Sequence, residues 1–186
     1  MSQIIVINYS RPQELALVQG HVERFGADVV RVVTNMETDF QNVWKFPTMD
    51  KKNVEWTKRF LEKFLAEDAD TMIKIDPDTV IKILPSMPVR AEAAGDFRKS
   101  NVGWIWFGAC QYYRRTAVTK ILADAKYTGM CMYQDMALAS SVARCGLRAY
   151  NMPEINGWSR GDEDALVVHR GLSDIDRLPG GWCTLK

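Results

Sequence analysis

Thr71-Met72-Ile73-Lys74-Ile75-Asp76-Pro77-Asp78-Thr79-Val80 decides how the rest of this chain is read. Thr71 to Ile75 is an apolar run that reads as a buried strand entering a turn. Two carboxylates spaced i, i+2 on extended backbone point the same way, so Asp76 and Asp78 are expected to face one cation. Pro77 between them fixes its own φ, removes a backbone donor and keeps the segment out of a helix. A hard divalent ion such as Mg²⁺ or Mn²⁺ favours such oxygen ligands and leaves positions open for phosphate oxygens. For an isolated Asp-x-Asp, a turn whose aspartates cap the following segment is the better reading, so the flanking sequence has to decide.

Upstream, strand and helix periods alternate. Ile4 to Ile7 is a continuous β-branched run, the signature of a strand buried on both faces. Ser10 followed by Gln13 fits a capping box with Pro12 in the first turn, and Leu15, Val18, Val22 and Phe25 then recur at helical spacing up to a stop at Gly26. Val29 to Val33 reads as a second strand ending at Thr34-Asn35. A short strand around Trp44-Lys45-Phe46 is broken by Pro47. Asp50 is placed to cap a helix through Ala66, with Val54, Thr57, Leu61, Phe64 and Leu65 inward. The β-α-β-α-β order closing at Thr71–Ile75 predicts an α/β fold, a mainly parallel central sheet flanked by helices. Ligands of such sheets bind beyond the carboxyl ends of the strands, where Asn8-Tyr9-Ser10-Arg11, Thr34-Asn35 and Asp76-Pro77-Asp78 all fall.

Downstream the pattern is less regular. Residues 84–100 read as loop with short structure, and Trp104-Ile105-Trp106-Phe107 as an aromatic strand running into a Gly108-Ala109 loop. Thr116 to Ala125 and Asp135 to Cys145 read as helices, and Leu147 to Asn151 as a short edge strand. Residues 156–164 form a turn-rich polar loop, Val167-Val168 leads to His169, and an irregular tail opens at Leu178. The chain is expected to form one domain over 1–186, with a donor-binding half over about 1–82 and an acceptor half over about 83–186.

The chain has 186 residues, 47% of them hydrophobic and 25% charged, the composition of a globular protein with one good core. Twenty-four basic against 23 acidic side chains give no strong nucleic-acid signature. No apolar stretch is long enough to span a bilayer and no signal-peptide layout is present, so a cytoplasmic protein is expected. Cys110, Cys131, Cys145 and Cys183 form no C-x-x-C pair, and free thiols in a reducing compartment fit them best.

Asp76-Pro77-Asp78, then Phe107-Gly108-Ala109-Cys110-Gln111-Tyr112-Tyr113-Arg114-Arg115, then Tyr133-Gln134-Asp135-Met136-Ala137-Leu138, with His169 after them, stand in an order that resembles the GT-A class of nucleotide-sugar-dependent glycosyltransferases. The resemblance spans roughly residues 4 to 170 as spaced short motifs. It departs at Gln134, where the class usually has glutamate, and in the shortness of the chain. It implies a Rossmann-like GT-A domain and a metal-dependent glycosyltransferase. Its donor would be a nucleoside-diphosphate sugar, a UDP-sugar first, and its acceptor a hydroxyl compound. The resemblance also implies Mn²⁺ or Mg²⁺ held by Asp78, with Asp76 on the ribose or a metal water and His169 a third ligand. Asn8, Tyr9 and Arg11 would meet the nucleotide. The alternatives are another metal-dependent phosphate enzyme, such as a nucleotidyltransferase, and a non-catalytic nucleotide-sugar-binding module.

The chemistry gives these residue types a reason. A departing diphosphate gathers negative charge, which a divalent ion neutralises as Lewis acid and template. Asp135, near a helix N-terminus that favours its ionised form, can take the proton of an attacking hydroxyl, giving inversion at the anomeric carbon; as a first-turn acid it can instead serve the helix end. His169 is either a ligand or a satisfied strand-end histidine. His21 reads as surface or packing. Lys52 and Arg59 fit a diphosphate contact or an exposed helix face. Trp104, Trp106 and Phe107 fit a sugar platform or a half-core strand. Arg114-Arg115 fit an anionic acceptor or a solvated helix start.

Overall fold

The computed structural model describes residues 2–49, 54–100, 103–124, 134–155, 157–158, 167–169, 181–183 and 185. Asp50, Lys52, Cys131 and residues 159–164 of the polar loop lie outside them.

The N-terminal half folds as its periods dictate. Strand β1 (Gln3–Asn8) leads to helix α1 (Leu15–Phe25), then to β2 (Val30–Thr34) and β3 (Val43–Lys45). Helix α2 (Val54–Ala66) crosses back to β4 (Thr71–Ile75). β4, β1, β2 and β3 are neighbours in that order and parallel throughout. Side-chain alternation divides the β1 run between two cores. Ile5 and Ile7 join Val18 of α1 on one face, whereas Ile4 and Val6 join Phe60, Leu61 and Phe64 of α2 on the other. Gly26 ends α1 with φ 93°, a conformation only glycine takes without strain, and its N–H donates to the Val22 carbonyl at 2.9 Å. The capping box before α1 is shifted by one residue from the expected one. Glu14, not Gln13, closes it, accepting the backbone N–H groups of Ser10 (2.9 Å) and Arg11 (3.0 Å) around a short 3₁₀ turn at Pro12–Glu14.

The C-terminal half departs further from expectation. Beyond β4 come β5 (Thr79–Ile81), β6 (Ala93–Ser100), β7 (Gly103–Arg114), α3 (Arg115–Ala123), α4 (Gln134–Arg144) and β8 (Ala149–Asn151). Three short strands follow: β9 (Gly157–Trp158), β10 (Val167–His169) and β11 (Gly181–Cys183). The main sheet has eight strands in the order β11-β8-β6-β7-β4-β1-β2-β3, and β5-β10-β9 form a second sheet. β7 runs antiparallel to both β4 and β6, so the main sheet is mixed. Part of the 84–100 region is therefore an interior strand, and Gly108-Ala109 lies inside β7 rather than in a loop. β8 is interior too, between β6 and β11, and β11 orders part of the expected tail.

β6 hides its charges by pairing them. Arg98 donates to Asp96 through Nε at 2.8 Å and Nη2 at 2.5 Å, and both side chains are 1% exposed. Gly95 is required where β6 meets β7, because a Cβ there would stand 2.2 Å from Nε1 of Trp106. Trp106 is fully buried, its ring 5.0 Å from Phe97 and 4.5 Å from Tyr113 between centroids, which makes it core rather than a sugar platform. No helix among the described residues is long and apolar enough to cross a membrane.

Candidate functional site

β4 leaves the main sheet in a turn. The Thr79 N–H donates to the Asp76 carbonyl at 3.1 Å, closing Asp76-Pro77-Asp78-Thr79 as a four-residue turn with proline at its second position, the place its fixed φ suits. The backbone is thus not extended across the motif, and the expected same-side presentation of the two carboxylates gives way. Asp76 turns to Lys74, whose Nζ lies 2.6 Å from Oδ1. Asp78 lies within longer electrostatic reach of Arg11, whose ion pair is with Glu14. Both aspartates remain partly exposed.

Lys74 is the residue the sequence reading missed. Its side chain is 3% exposed, and burial of a lysine demands a partner. Register sets Val6, Lys74 and Gln111 side by side across β1, β4 and β7, on the face that α2, α3 and α4 cover. Gln111 is fully buried and its amide orientation is fixed by its neighbours: Tyr113 Oη donates to Oε1 at 2.7 Å, and Nε2 donates to the Trp106 carbonyl at 2.6 Å. The same Nε2 reaches Oδ1 of Asp135 at 3.4 Å. Asp135 is the second residue of α4, where the helix dipole favours its ionised form. One sheet face therefore carries a polar row from Asp76 and Lys74 through Gln111 to Asp135. The 58 residues between Asp76 and Asp135 hide this row from any local reading.

Asn8 ends β1 one position beyond the Ile7–Ile75 pair, which puts it level with Asp76 on the next strand. It is fully buried, and neither Oδ1 nor Nδ2 has a hydrogen-bond partner. A buried amide in that condition costs about 1–3 kcal/mol per group, a price usually met at functional positions. Nε2 of Gln134 and Oγ1 of Thr57, at the starting turns of α4 and α2, are buried and unpartnered as well. Tyr9 is 6% exposed and packs edge-on to Phe40 at 6.1 Å, so its ring belongs to the core. Arg11 is bound to Glu14 at 2.6 Å with its own side chain 58% exposed.

The donor set fits a hard cation in part. Asp78 is a partly exposed carboxylate on a turn, and the register of β10 on β5 sets the His169 backbone opposite Thr79, the next residue. The His169 side chain lies outside the described residues. Among the described residues no group of three or more His, Cys, Asp or Glu is arranged to hold a metal.

Other expected contacts resolve as structural ties. Arg59 bonds Glu55 on the surface of α2 at 3.4 Å. Arg114 donates to the carbonyls of Ala91 (2.6 Å) and Val89 (2.8 Å), and Arg115 to those of Ala69 (3.0 Å), Leu65 (2.8 Å) and Glu67. Cys110, Cys145 and Cys183 are free, and burial pushes the Cys110 thiol up to about 12, which leaves it inert. His21 is 8% exposed and stacks on Phe25 with ring centroids 6.2 Å apart, which is packing rather than surface.

No protein-family model and no curated protein matches the chain. The functional reading therefore rests on the site itself.

Proposed function

We propose that this chain is a metal-dependent glycosyltransferase of the GT-A type, moving a sugar from a nucleoside-diphosphate donor, UDP-linked first, to an acceptor hydroxyl. The observation that carries the reading is the polar row on one sheet face, which joins a carboxylate turn beyond β4 to a helix-terminal carboxylate through Lys74 and Gln111. A nucleotidyltransferase would need the turn but would leave the tie between Gln111 and Asp135 without a task.

Asp78, with His169, would hold Mn²⁺ or Mg²⁺, which supplies charge neutralisation for the departing diphosphate. Lys74 holds Asp76 at 2.6 Å, and the cation is assigned to Asp78. The donor nucleotide is assigned to the strand ends around Asn8, whose buried amide has no partner of its own. Gln111, an obligate donor through its bond from Tyr113, holds the Asp135 carboxylate in one orientation. Asp135 then takes the proton of the acceptor hydroxyl, and the single displacement inverts the anomeric centre.

Thermal shifts with UDP and UDP-sugars, with and without Mn²⁺, test this directly, because a specific ligand stabilises the fold by mass action. UDP should raise Tm only with the cation present. Asp78→Ala should stay folded and lose that dependence. A variant with the wild-type metal response removes Asp78 from the site.

A further inference from the structure

We propose that His21 and Arg24 of α1 form a two-point clamp on residues 76–82 and act as positioning residues for Asp78. The clamp stands on contacts within the protein, and its functional consequence rests on the glycosyltransferase reading above.

The segment needs holding. After Asp76 the chain abandons the main sheet, and β5 pairs only with β10 in the small second sheet. Asp78 therefore sits on a turn that the eight-stranded sheet does not fix. α1 reaches it from the face opposite the polar row. His21 stacks on Phe25, with centroids 6.2 Å apart and planes 12° from parallel, and the backbone of Pro77 and Thr79, on either side of Asp78, lies close enough to act on its ring electrostatically. Arg24, one turn further along α1, lays its guanidinium over the Phe25 ring at 5.5 Å. Its Nη1 donates to the Ile81 carbonyl and its Nη2 to the Lys82 carbonyl at 2.7 Å. Phe25 is thus a shared backing for both side chains. Burial, the largest cause, holds the His21 pKa below the ordinary histidine value. Two side chains three residues apart face backbone at both ends of the segment, Arg24 through its hydrogen bonds to Ile81 and Lys82 and His21 by proximity to Pro77 and Thr79, so a shift of the turn disturbs one of them. Displacement of a ligand group by about an ångström is enough to cost on the order of a hundredfold in a positioned reaction.

Hydrogen exchange and ligand binding test the clamp together. His21→Phe keeps the stacking and burial but removes the ring nitrogens. Arg24 is surface-exposed, so Arg24→Met loses the carbonyl contacts without disturbing the core, and Arg24→Lys restores one donor. In His21→Phe and Arg24→Met, amides of residues 76–82 should exchange at least about tenfold faster while those of β1 and β2 keep wild-type rates. UDP affinity measured in Mn²⁺ should fall at least about fivefold, and Arg24→Lys should recover part of both. Wild-type exchange over 76–82 in both variants overturns the clamp. Faster exchange with unchanged Mn²⁺-dependent UDP affinity overturns the positioning role. A wild-type protein that binds no UDP with Mn²⁺ overturns the proposed function and the positioning role with it, while the exchange rates still decide the clamp.

Discussion

Replacing Lys74 with methionine separates electrostatics from packing at the centre of the site. Methionine keeps most of the apolar stem and removes the ammonium 2.6 Å from Asp76. Breaking a buried ion pair by deleting one partner costs about 3–5 kcal/mol, because the surviving charge has been taken from water. Lys74 is 3% exposed but Asp76 keeps 19% of its side-chain surface, so water recovers part of that cost. We therefore expect Lys74→Met to lose about 2–4 kcal/mol. A divalent ion at the turn should return part of it, about 1.4 kcal/mol at ten times its dissociation constant. Urea unfolding followed by tryptophan fluorescence at pH 7, once in EDTA and once in Mn²⁺, reads both quantities. A loss under about 1 kcal/mol in EDTA would refute the buried-pair argument, which rests on the general cost of stranding a charge. An identical loss in EDTA and Mn²⁺ would refute the link between Asp76 and a cation.

Three further outcomes are expected. Asp135→Asn, nearly isosteric, should leave Tm almost unchanged and donor affinity intact while the transfer rate falls about a hundredfold to ten-thousandfold; a product of retained configuration, or full turnover, returns Asp135 to a helix-end role. Asp96→Ala strands the buried Arg98 guanidinium and should destabilise the fold by about 3–5 kcal/mol in urea, whereas a loss near zero would mean that water reaches the pair. Glu67 accepts from Arg31 at 2.9 Å and, more weakly, from Trp44 at 3.1 Å, and these bonds hold its carboxyl below the ordinary value of 4.5 against the effect of burial. Its contribution is therefore complete above 4.5 and disappears as pH falls through the lower folded value. Glu67→Gln should be less stable than wild type by about 1 kcal/mol at pH 7 and indistinguishable from it in strong acid; a gap that persists there would assign the effect to packing.

The parallel half of the sheet was legible because its strands are β-branched runs and its helices carry clear 3.6-residue stripes, which are local properties. β6 was not, because Asp96 and Arg98 read as surface charges until their mutual pairing is known. Gly108-Ala109 reads as a loop because it falls where the ladder shifts, between Gln111 opposite Gly95 and Trp106 opposite Phe97, and only the pairing on either side of that shift shows one strand. At the site, the aspartates of the turn and Asp135 were visible as residue types in order. Their relation was not, since it runs through Lys74 and Gln111 on adjacent strands. The turn also differs from the extended presentation expected of an i, i+2 pair, because Pro77 favours the second position of a tight turn over continuation of β4. His21 was passed over because helical spacing places it on α1 but says nothing of the turn that lies beside its ring.

The antiparallel insertion of β7 bears on how the chain emerges from a ribosome. Everything through β4 can assemble as soon as it is made, yet β4 then presents an open edge of unpaired backbone N–H and C=O groups, Thr71 to Ile75, until β7 arrives to cover it. Open edges of that kind template association with other chains. β6 and β7 are joined by a short connection and pair with each other, so they can reach that edge as a ready-made hairpin rather than as two separate strands. Lengthening the β6–β7 connection would delay the hairpin. It should therefore raise aggregation during synthesis more than it lowers the stability of the finished protein.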